Sequence, residues 1–388
     1  MKWTKLSLVA ALAVSSAFAG GDIAPAEPVV EAPVVEAACN SNTTVESKAT
    51  LYYYSDDFFG ANSIFDKESS SLGAAVTVDA SHKIMDGITA NLSGIGYTNL
   101  MNESISFVGF EGWGDSYKTT GAFLNVANIT ATYGDTTFVL GRQLMHTPQI
   151  SGFDWLLAIG SYEAYTIMNT SIPNVTLSAS YITEFRGVNG GVDFVSLDGD
   201  NWTVGAAYSD AFDASIWYYN IDDDSYGGKY TQVYADAGTK IAGIDVAAQY
   251  INTDWDGADT SDVYGIKASG SVGGFDLMAA YVYTSDAPAG FMDNDAVYTT
   301  MWNSLGSNGV GDAFKVEAAT EFSGVSVVAD YSYYEETAAF VEEGSEFDLI
   351  LGYGITDCID VAGIYSNTDY GDGSGANQAL ELIATYKF

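Results

Sequence analysis

The sequence predicts an all-β protein, a transmembrane antiparallel β-barrel of about 18 strands, with 16 as the alternative count. Three observations support this fold class: apolar and polar residues alternate, short turns alternate with long loops, and the chain ends on an amphipathic strand at Phe388. A sheet in lipid must pair every backbone polar group, so it closes into a barrel. The competing architecture is a secreted β-sandwich or β-helix, which has no need of alternating loop lengths.

Segments of roughly 8 to 14 residues with period-two alternation follow one another from Lys48 onward, the length that a tilted strand needs to cross a membrane. In one of them the apolar face consists of Val325, Val327, Ala329, Tyr331 and Tyr333, and the opposite face of Ser326, Asp330 and Ser332. The last segment, Leu380 to Phe388, alternates in the same way. One face of each strand suits lipid and the other suits water.

The connections between these segments fall into two classes. Eight are short turns: Met85–Gly87, Tyr133–Asp135, Ile172–Asn174, Ser209–Ala211, Ile241–Gly243, Val272–Gly274, Phe322–Gly324 and Thr356–Cys358. Longer polar stretches lie between them, including Ser55–Ser69, Asn99–Lys118, Gly187–Asp200, Ser285–Asp312 and Asn367–Ala376. Eight turns and nine loops give 18 strands, with short turns in the periplasm and long loops outside the cell.

The N-terminal region predicts export. Residues 1–19 combine two lysines, a short apolar run and an Ala-Phe-Ala ending, which is typical of a bacterial secretory signal. Residues 20–47 are rich in Pro, Ala, Val and Glu and predict an extended periplasmic tether, so the barrel is expected to occupy residues 48–388. Cys39 in the tether and Cys358 in a periplasmic turn would face the same compartment, and we favour a disulfide between them over two unpaired thiols.

The composition narrows the function classes. Acidic residues number 51 against 13 basic ones, and the formal net charge is −38. This acidity argues against a nucleic-acid partner. Disorder is also disfavoured because 47% of the residues are hydrophobic and 14% are aromatic. The 27 tyrosines suit membrane interfaces.

The stretch Gly141–Gln149, together with the alternating strands, the signal sequence and the terminal Phe388, resembles the major outer-membrane porins of the campylobacterial group. The resemblance covers most of the mature chain, and only the two ends and this stretch are specific. It implies an 18-stranded homotrimer in the outer membrane of a Gram-negative bacterium that passes small hydrophilic solutes. Loops vary in that family, so no loop residue is carried over.

Charged residues that line the pore can be predicted from strand parity. Those opposite the apolar faces are Asp79, Glu184, Arg186, Asp213, Asp245, Asp276, Lys315, Glu317, Glu321, Asp330, Asp348, Glu381 and Lys387. Acids dominate this set, and a narrow pore lined with carboxylates concentrates cations. Arg186 and Glu184 are expected to form one dipole across the pore, while Arg142 shares parity with apolar residues, which leaves its direction open.

The loop of residues 146–160 is the predicted constriction. It is unusually apolar for a solvent loop, and its candidate residues are Pro148, Phe153, Asp154 and Trp155. Such a loop is more stable folded into the barrel than exposed to water. The alternative is that it packs on a neighbouring subunit.

The sequence offers weaker evidence for other kinds of site. Asp254, Asp256 and Asp259 have oxygen ligands that suit Ca²⁺, but the spacing of an EF-hand is incomplete and solvated loop charge is favoured. The two histidines, His82 and His146, lie on separate elements without the partners of a catalytic triad, so no enzyme and no other cofactor is predicted.

The sequence therefore predicts a passive, cation-preferring porin. Two alternatives stay open: a substrate-specific channel of the same fold, and a plugged barrel that acts as a surface adhesin, with Ser285–Asp312 as plug or contact surface. Expected partners are outer-membrane lipid and lipopolysaccharide, the solutes themselves, and the barrel-assembly machinery through the strand that ends at Phe388.

Overall fold

The computed structural model describes residues 42–58, 63–101, 120–152, 157–187, 193–223, 228–293, 295–304, 306, 309–337 and 342–388. The predicted signal sequence, Cys39 and the loop residues Phe153, Asp154 and Trp155 lie outside this set. Within it, no helix is long and apolar enough to cross a membrane.

Twenty β-strands are present in the described part of the chain. They are β1 Thr43–Asp56, β2 Ser70–Met85, β3 Ile88–Asn99, β4 Thr120–Tyr133, β5 Thr136–Gln143, β6 Ile150–Ser151, β7 Ser161–Asn169, β8 Val175–Arg186, β9 Val195–Ser209, β10 Asp213–Ile221, β11 Tyr230–Ile241, β12 Ile244–Trp255, β13 Ser261–Val272, β14 Phe275–Thr284, β15 Met292–Asp293, β16 Gly309–Phe322, β17 Val325–Thr337, β18 Gly344–Thr356, β19 Ile359–Asp369 and β20 Asn377–Lys387.

Eighteen of these strands form one antiparallel sheet, and all except β6 and β15 belong to it. The sheet closes because β1 pairs with β20, with Tyr52 opposite Ile383 and Lys48 opposite Lys387. Closure leaves no edge strand with unpaired backbone groups, as a sheet in lipid requires. The predicted 18-stranded antiparallel barrel is confirmed.

All eight predicted short turns connect consecutive strands of the barrel. The turn between β13 and β14 is an example of the backbone conformation of these turns. Its residues Gly273 and Gly274 have φ angles of 61° and 88°. Two successive positive φ angles define a tight hairpin turn that glycine adopts without steric cost. The first strand begins at Thr43, so the last five residues assigned to the tether belong to the sheet.

The two faces of each strand differ as the alternation predicted. In β16, Phe314 and Val316 are 50% and 53% exposed on the outer face, whereas Lys315 between them is 1% exposed on the inner face. In β20, Leu382 is exposed and Glu381 is buried. The exposed apolar side chains make the outer surface compatible with lipid.

Two segments fold into the barrel. β6, in the loop between β5 and β7, pairs in parallel with β15, in the loop between β14 and β16, so that Ile150 lies opposite Met292. Both side chains are fully buried in an apolar cluster with strand residues such as Tyr162 and Trp217. The interior of the barrel is therefore partly filled by its own loops.

Candidate pore constriction

The segment of residues 285–304, here called the inner strap, is held against the barrel wall by hydrogen bonds from strand side chains. Lys315 Nζ donates to the carbonyl oxygen of Thr300 at 2.8 Å. The Tyr334 hydroxyl donates to the Thr299 carbonyl oxygen at 2.7 Å. These donors come from the adjacent strands β16 and β17, so the strap follows the inner wall.

Carboxylates of the wall bind the other end of the strap. Asp348 Oδ2 accepts a hydrogen bond from the Trp302 backbone N–H at 3.1 Å, and Glu381 Oε1 accepts one from the Trp302 indole at 2.5 Å. Glu346 Oε1 accepts a hydrogen bond from the Asn303 backbone N–H at 2.7 Å. These three carboxyl groups therefore attach residues 302 and 303 of the strap to the wall, alongside the contacts made by Lys315 and Tyr334.

These acids form part of a row across the sheet. Glu317 lies opposite Asp330, Asp330 opposite Asp348, and Asp348 opposite Ser366 in the strand register. Lys315 is the cation of this group, with its Nζ 3.1 Å from Asp330 Oδ2 and 3.9 Å from Glu317 Oε2. Directly opposed residues in a sheet lie about 5 Å apart, so each of these carboxyl groups interacts electrostatically with its neighbours.

The segment of residues 144–160, here called the first inner loop, is joined to the strap at Gln149. The Gln149 carbonyl oxygen accepts from the Met292 N–H at 2.8 Å, and its side-chain oxygen accepts from the Ala296 N–H at 3.0 Å. Leu157 and Ala158, at the end of this loop, are buried against the wall of β1–β3. Loop and strap together therefore contact the wall from β16 through β20 to β1–β3.

Arg186, at the end of β8, anchors the first inner loop. Its guanidinium is fully buried and donates to Asn125 Oδ1 at 3.0 Å, to the Gly187 carbonyl oxygen at 3.3 Å, and to the Ile159 carbonyl oxygen. The Cζ atom lies 5.0 Å from the centre of the Phe123 ring. Arg186 therefore serves as a buried structural clamp and not as a water-exposed pore charge, which corrects the predicted dipole with Glu184.

Glu184 lies on the outer face of the barrel, and its prediction as a pore-lining residue is wrong. A register shift between Ile182 and Glu184 reverses the alternation, and Glu184 lies opposite Glu163, which lies opposite Arg142. Arg142 shares the outer face with Leu140 and is 3.4 Å from Glu163 and 3.9 Å from Glu184. A β-bulge adds one residue to one strand and so moves the following side chain to the other face.

The other residues chosen by parity lie on the inner face in two environments. Asp79, Asp213, Asp245, Asp276, Glu321 and Lys387 are exposed on it towards the turns, whereas Lys315, Glu317, Asp330, Asp348 and Glu381 are buried behind the strap. Pro148 is buried in the first inner loop. Whether these groups line a conducting path stays a proposal.

Sequence reasoning missed several inner-face charges, among them Asp236, Lys267 and Glu346. Parity could have found Lys267, which alternates with the outward Tyr264 and Ile266, and Glu346, which shares parity with Asp348. Lys267 Nζ lies 4.3 Å from the ring centre of Tyr298 in the strap. Burial, with a smaller contribution from the charge of Asp236, raises the pKa of the Tyr298 hydroxyl, so this phenol stays neutral.

The weaker site predictions gain no geometric support. Within the described residues, no group of three or more His, Cys, Asp or Glu side chains is placed to hold a metal ion, and the three loop acids Asp254, Asp256 and Asp259 are no exception. Cys358 is exposed in the turn between β18 and β19. Its pairing with Cys39 stays a prediction.

Comparison with known proteins identifies the fold. No protein-family model matches the sequence, and no curated protein matches it. Solved structures do match, among them outer membrane protein OpdK of Pseudomonas aeruginosa, with a TM-score of 0.73 and 13% identity over 89% of this chain and 98% of that one. OccAB4 of Acinetobacter baumannii has a TM-score of 0.73 and 16% identity over 89% and 98%. OccK8 (OprE) of P. aeruginosa has a TM-score of 0.71 and 15% identity over 89% of this chain and 98% of that one.

These neighbours are outer-membrane porins of Gram-negative bacteria, and identities this low establish the fold alone. The resemblance to campylobacterial porins stays a prediction. The chain has the closed 18-stranded barrel of a Gram-negative outer-membrane porin.

Proposed function

We propose that this protein is an outer-membrane porin through which small hydrophilic solutes and ions diffuse passively, with a preference for cations. The observation that supports this function most is a closed 18-stranded barrel whose lumen is narrowed by two of its own loops. Barrels of this size enclose an aqueous channel unless a segment fills them. No covalent step is involved, and selectivity arises from pore width and fixed charge.

The preference for cations rests on the acids of the inner face. Asp79, Asp213, Asp276 and Glu321 are exposed there near the periplasmic turns. Fixed carboxylates in a lumen with low-dielectric walls create a negative potential that concentrates cations and repels anions.

A substrate-specific channel of the same fold is the second candidate. OpdK has been solved with vanillate, a small aromatic carboxylate. A channel for such anions would need accessible cations at its constriction, whereas Arg186 and Lys315 are buried here and the partly exposed Lys267 lies near the acids Asp236 and Glu317. A specific solute for this barrel would therefore be uncharged or cationic, and its flux would saturate.

The plugged barrel is the third candidate, because the inner strap fills part of the lumen. One experiment separates the three: conductance and zero-current potential of the purified, unheated protein in a planar bilayer across a KCl gradient. Steps in groups of three with a cation-selective potential would support a trimeric porin. Anion selectivity would contradict the acidic lining, and a silent bilayer from folded protein would favour the plug.

Assembly completes the proposal. Export by residues 1–19, a homotrimer in the outer membrane, contact with lipopolysaccharide, and recognition of the last strand by the barrel-assembly machinery all fit the lipid-compatible outer surface. Phe388 at the end of that strand stacks on Tyr386, with ring centres 5.4 Å apart. Its N–H donates to the Ser47 carbonyl oxygen at 2.9 Å, which aligns the final residue with β1.

A further inference from the structure

The inner face of the barrel is divided into a neutral sector and a charged sector. The neutral sector comprises β3, β4, β5, β7, β8 and β9. Along the barrel axis it extends from the periplasmic turns up to the level of Ile182. Its inward residues include Asn91, Ser93, Asn128, Thr130, Val139, Thr166, Ser178, Ser180, Thr203 and Ala207, and none of those described in this part of the sector is charged. Amides and hydroxyls dominate this wall, and several bond to one another, as Thr166 and Ser180 do at 2.8 Å.

The charged sector comprises the remaining strands, from β10 through β20 to β1 and β2. Several of its lysines are already paired with acids of the same wall. Lys240 Nζ lies 3.2 Å from Asp245 Oδ2, and Lys387 Nζ lies 2.8 Å from Asp360 Oδ2. These pairs largely cancel each other's field at the pore axis.

Four further acids of this sector are not held in such short ion pairs within the described residues, although Asp236 lies near the ammonium of Lys267. Asp213, Asp236, Asp276 and Glu321 lie on the inner faces of β10, β11, β14 and β16, and none forms an ion pair within the described residues. Three of them accept hydrogen bonds from serines, for example Asp213 from Ser209 Oγ at 2.6 Å and Asp236 from Ser215 Oγ at 2.5 Å. A serine hydroxyl holds a carboxylate in place without neutralising it.

We infer that these four carboxylates guide solutes carrying an ammonium or guanidinium group along the β10–β16 side of the lumen. The uncharged body of such a solute faces the neutral sector, whose hydroxyls and amides replace water as hydrogen-bonding partners. The expected solute class is therefore small hydrophilic organic cations with a hydrogen-bonding body. This inference rests on the proposed porin function and adds to it the solute class and the residues that select it.

The position of Lys267 supports this assignment. It is partly exposed, its ammonium lies over the ring of Tyr298 in the strap, and the charges of Asp236, Lys315 and Glu317 are close enough to act on it. Lys267 thus shows that an aromatic ring and nearby carboxyl groups can hold an ammonium group on this side of the lumen.

The test compares three sugars of nearly equal size in a liposome-swelling assay: glucosamine as cation, glucose as neutral solute and glucuronate as anion. The variant is D213N/D236N/D276N/E321Q. The matched control is D86N/D135N/D210N/D357N, which removes four acids from the periplasmic turns instead. Four charges roughly 10 Å from the axis, screened at 0.1 M salt, change the ratio of cation to anion flux about eightfold.

We expect wild type and control to favour glucosamine over glucuronate, and the variant to lose about eightfold of that ratio with glucose flux unchanged. An unchanged ratio in the variant, or an equal loss in the control, would overturn the inference while leaving the porin intact. If none of the sugars enters liposomes that contain folded wild-type protein, the proposed function fails and the inference with it.

Discussion

Replacing Arg186 by Met tests whether this buried guanidinium holds the constriction together. The change removes hydrogen bonds to Asn125, Gly187 and Ile159 but keeps an apolar side chain of similar length. Taking away one partner of a buried charged network costs about 3–5 kcal/mol, because the acceptors lose a donor that water cannot replace there. The barrel hydrogen bonds are untouched, so the loss falls on the packing of the first inner loop.

A cost of about 4 kcal/mol changes the ratio of packed to released loop by about a thousandfold. We therefore expect Arg186→Met to show larger or noisier single-channel conductance than wild type, and faster protease cleavage between residues 144 and 160 in the folded protein. Heat-modifiable migration on a gel verifies that the barrel itself is folded. An Arg186→Lys variant, which keeps the charge and loses the forked donors, should fall between the two.

Arg142→Met is the matched control because Arg142 is the other arginine of the chain and lies on the outer face. Its guanidinium is about one-third exposed and pairs with Glu163 and Glu184, so its loss should cost less than about 1 kcal/mol. Conductance and proteolysis should match wild type. If Arg186→Met and Arg142→Met behave alike, the clamp does not position the loop and the reasoning is refuted.

Three further predictions follow from single contacts. Glu346→Gln weakens the attachment of the inner strap and should raise the noise of the single-channel current. Glu321→Gln, on the same inner face but away from the strap, should leave the noise unchanged. Equal noise in both variants would contradict the role of Glu346 in the attachment. Gly205→Ala places a Cβ 2.2 Å from a buried indole and should lower stability by about 1–3 kcal/mol, while Gly96→Ala has open space and should be neutral in thermal unfolding. Deleting Phe388 should reduce the amount of folded protein in outer-membrane fractions, and undiminished assembly would argue against recognition of the terminal residue.

The strand plan could be predicted because it depends on local chemistry. Period-two alternation and short turns, five of the eight containing glycine, are sufficient to place all eight hairpins. The inner or outer direction of a side chain also followed parity wherever a strand was regular, as for Asp276 and Glu321. It failed at Glu184, because a bulge depends on how two strands pair and leaves no mark in the alternation.

The sequence by itself determined the fold class, the strand count and the lipid-facing surface, since each arises from residues close together in the chain. Only the tertiary structure decided what fills the lumen. Strand alternation predicts Arg186 and Lys315 as pore-lining charges, yet both are buried. They are buried because segments more than ten residues away in the chain fold back over them. A buried charge must find partners, and those partners are backbone carbonyls and carboxylates that come together only when the barrel closes.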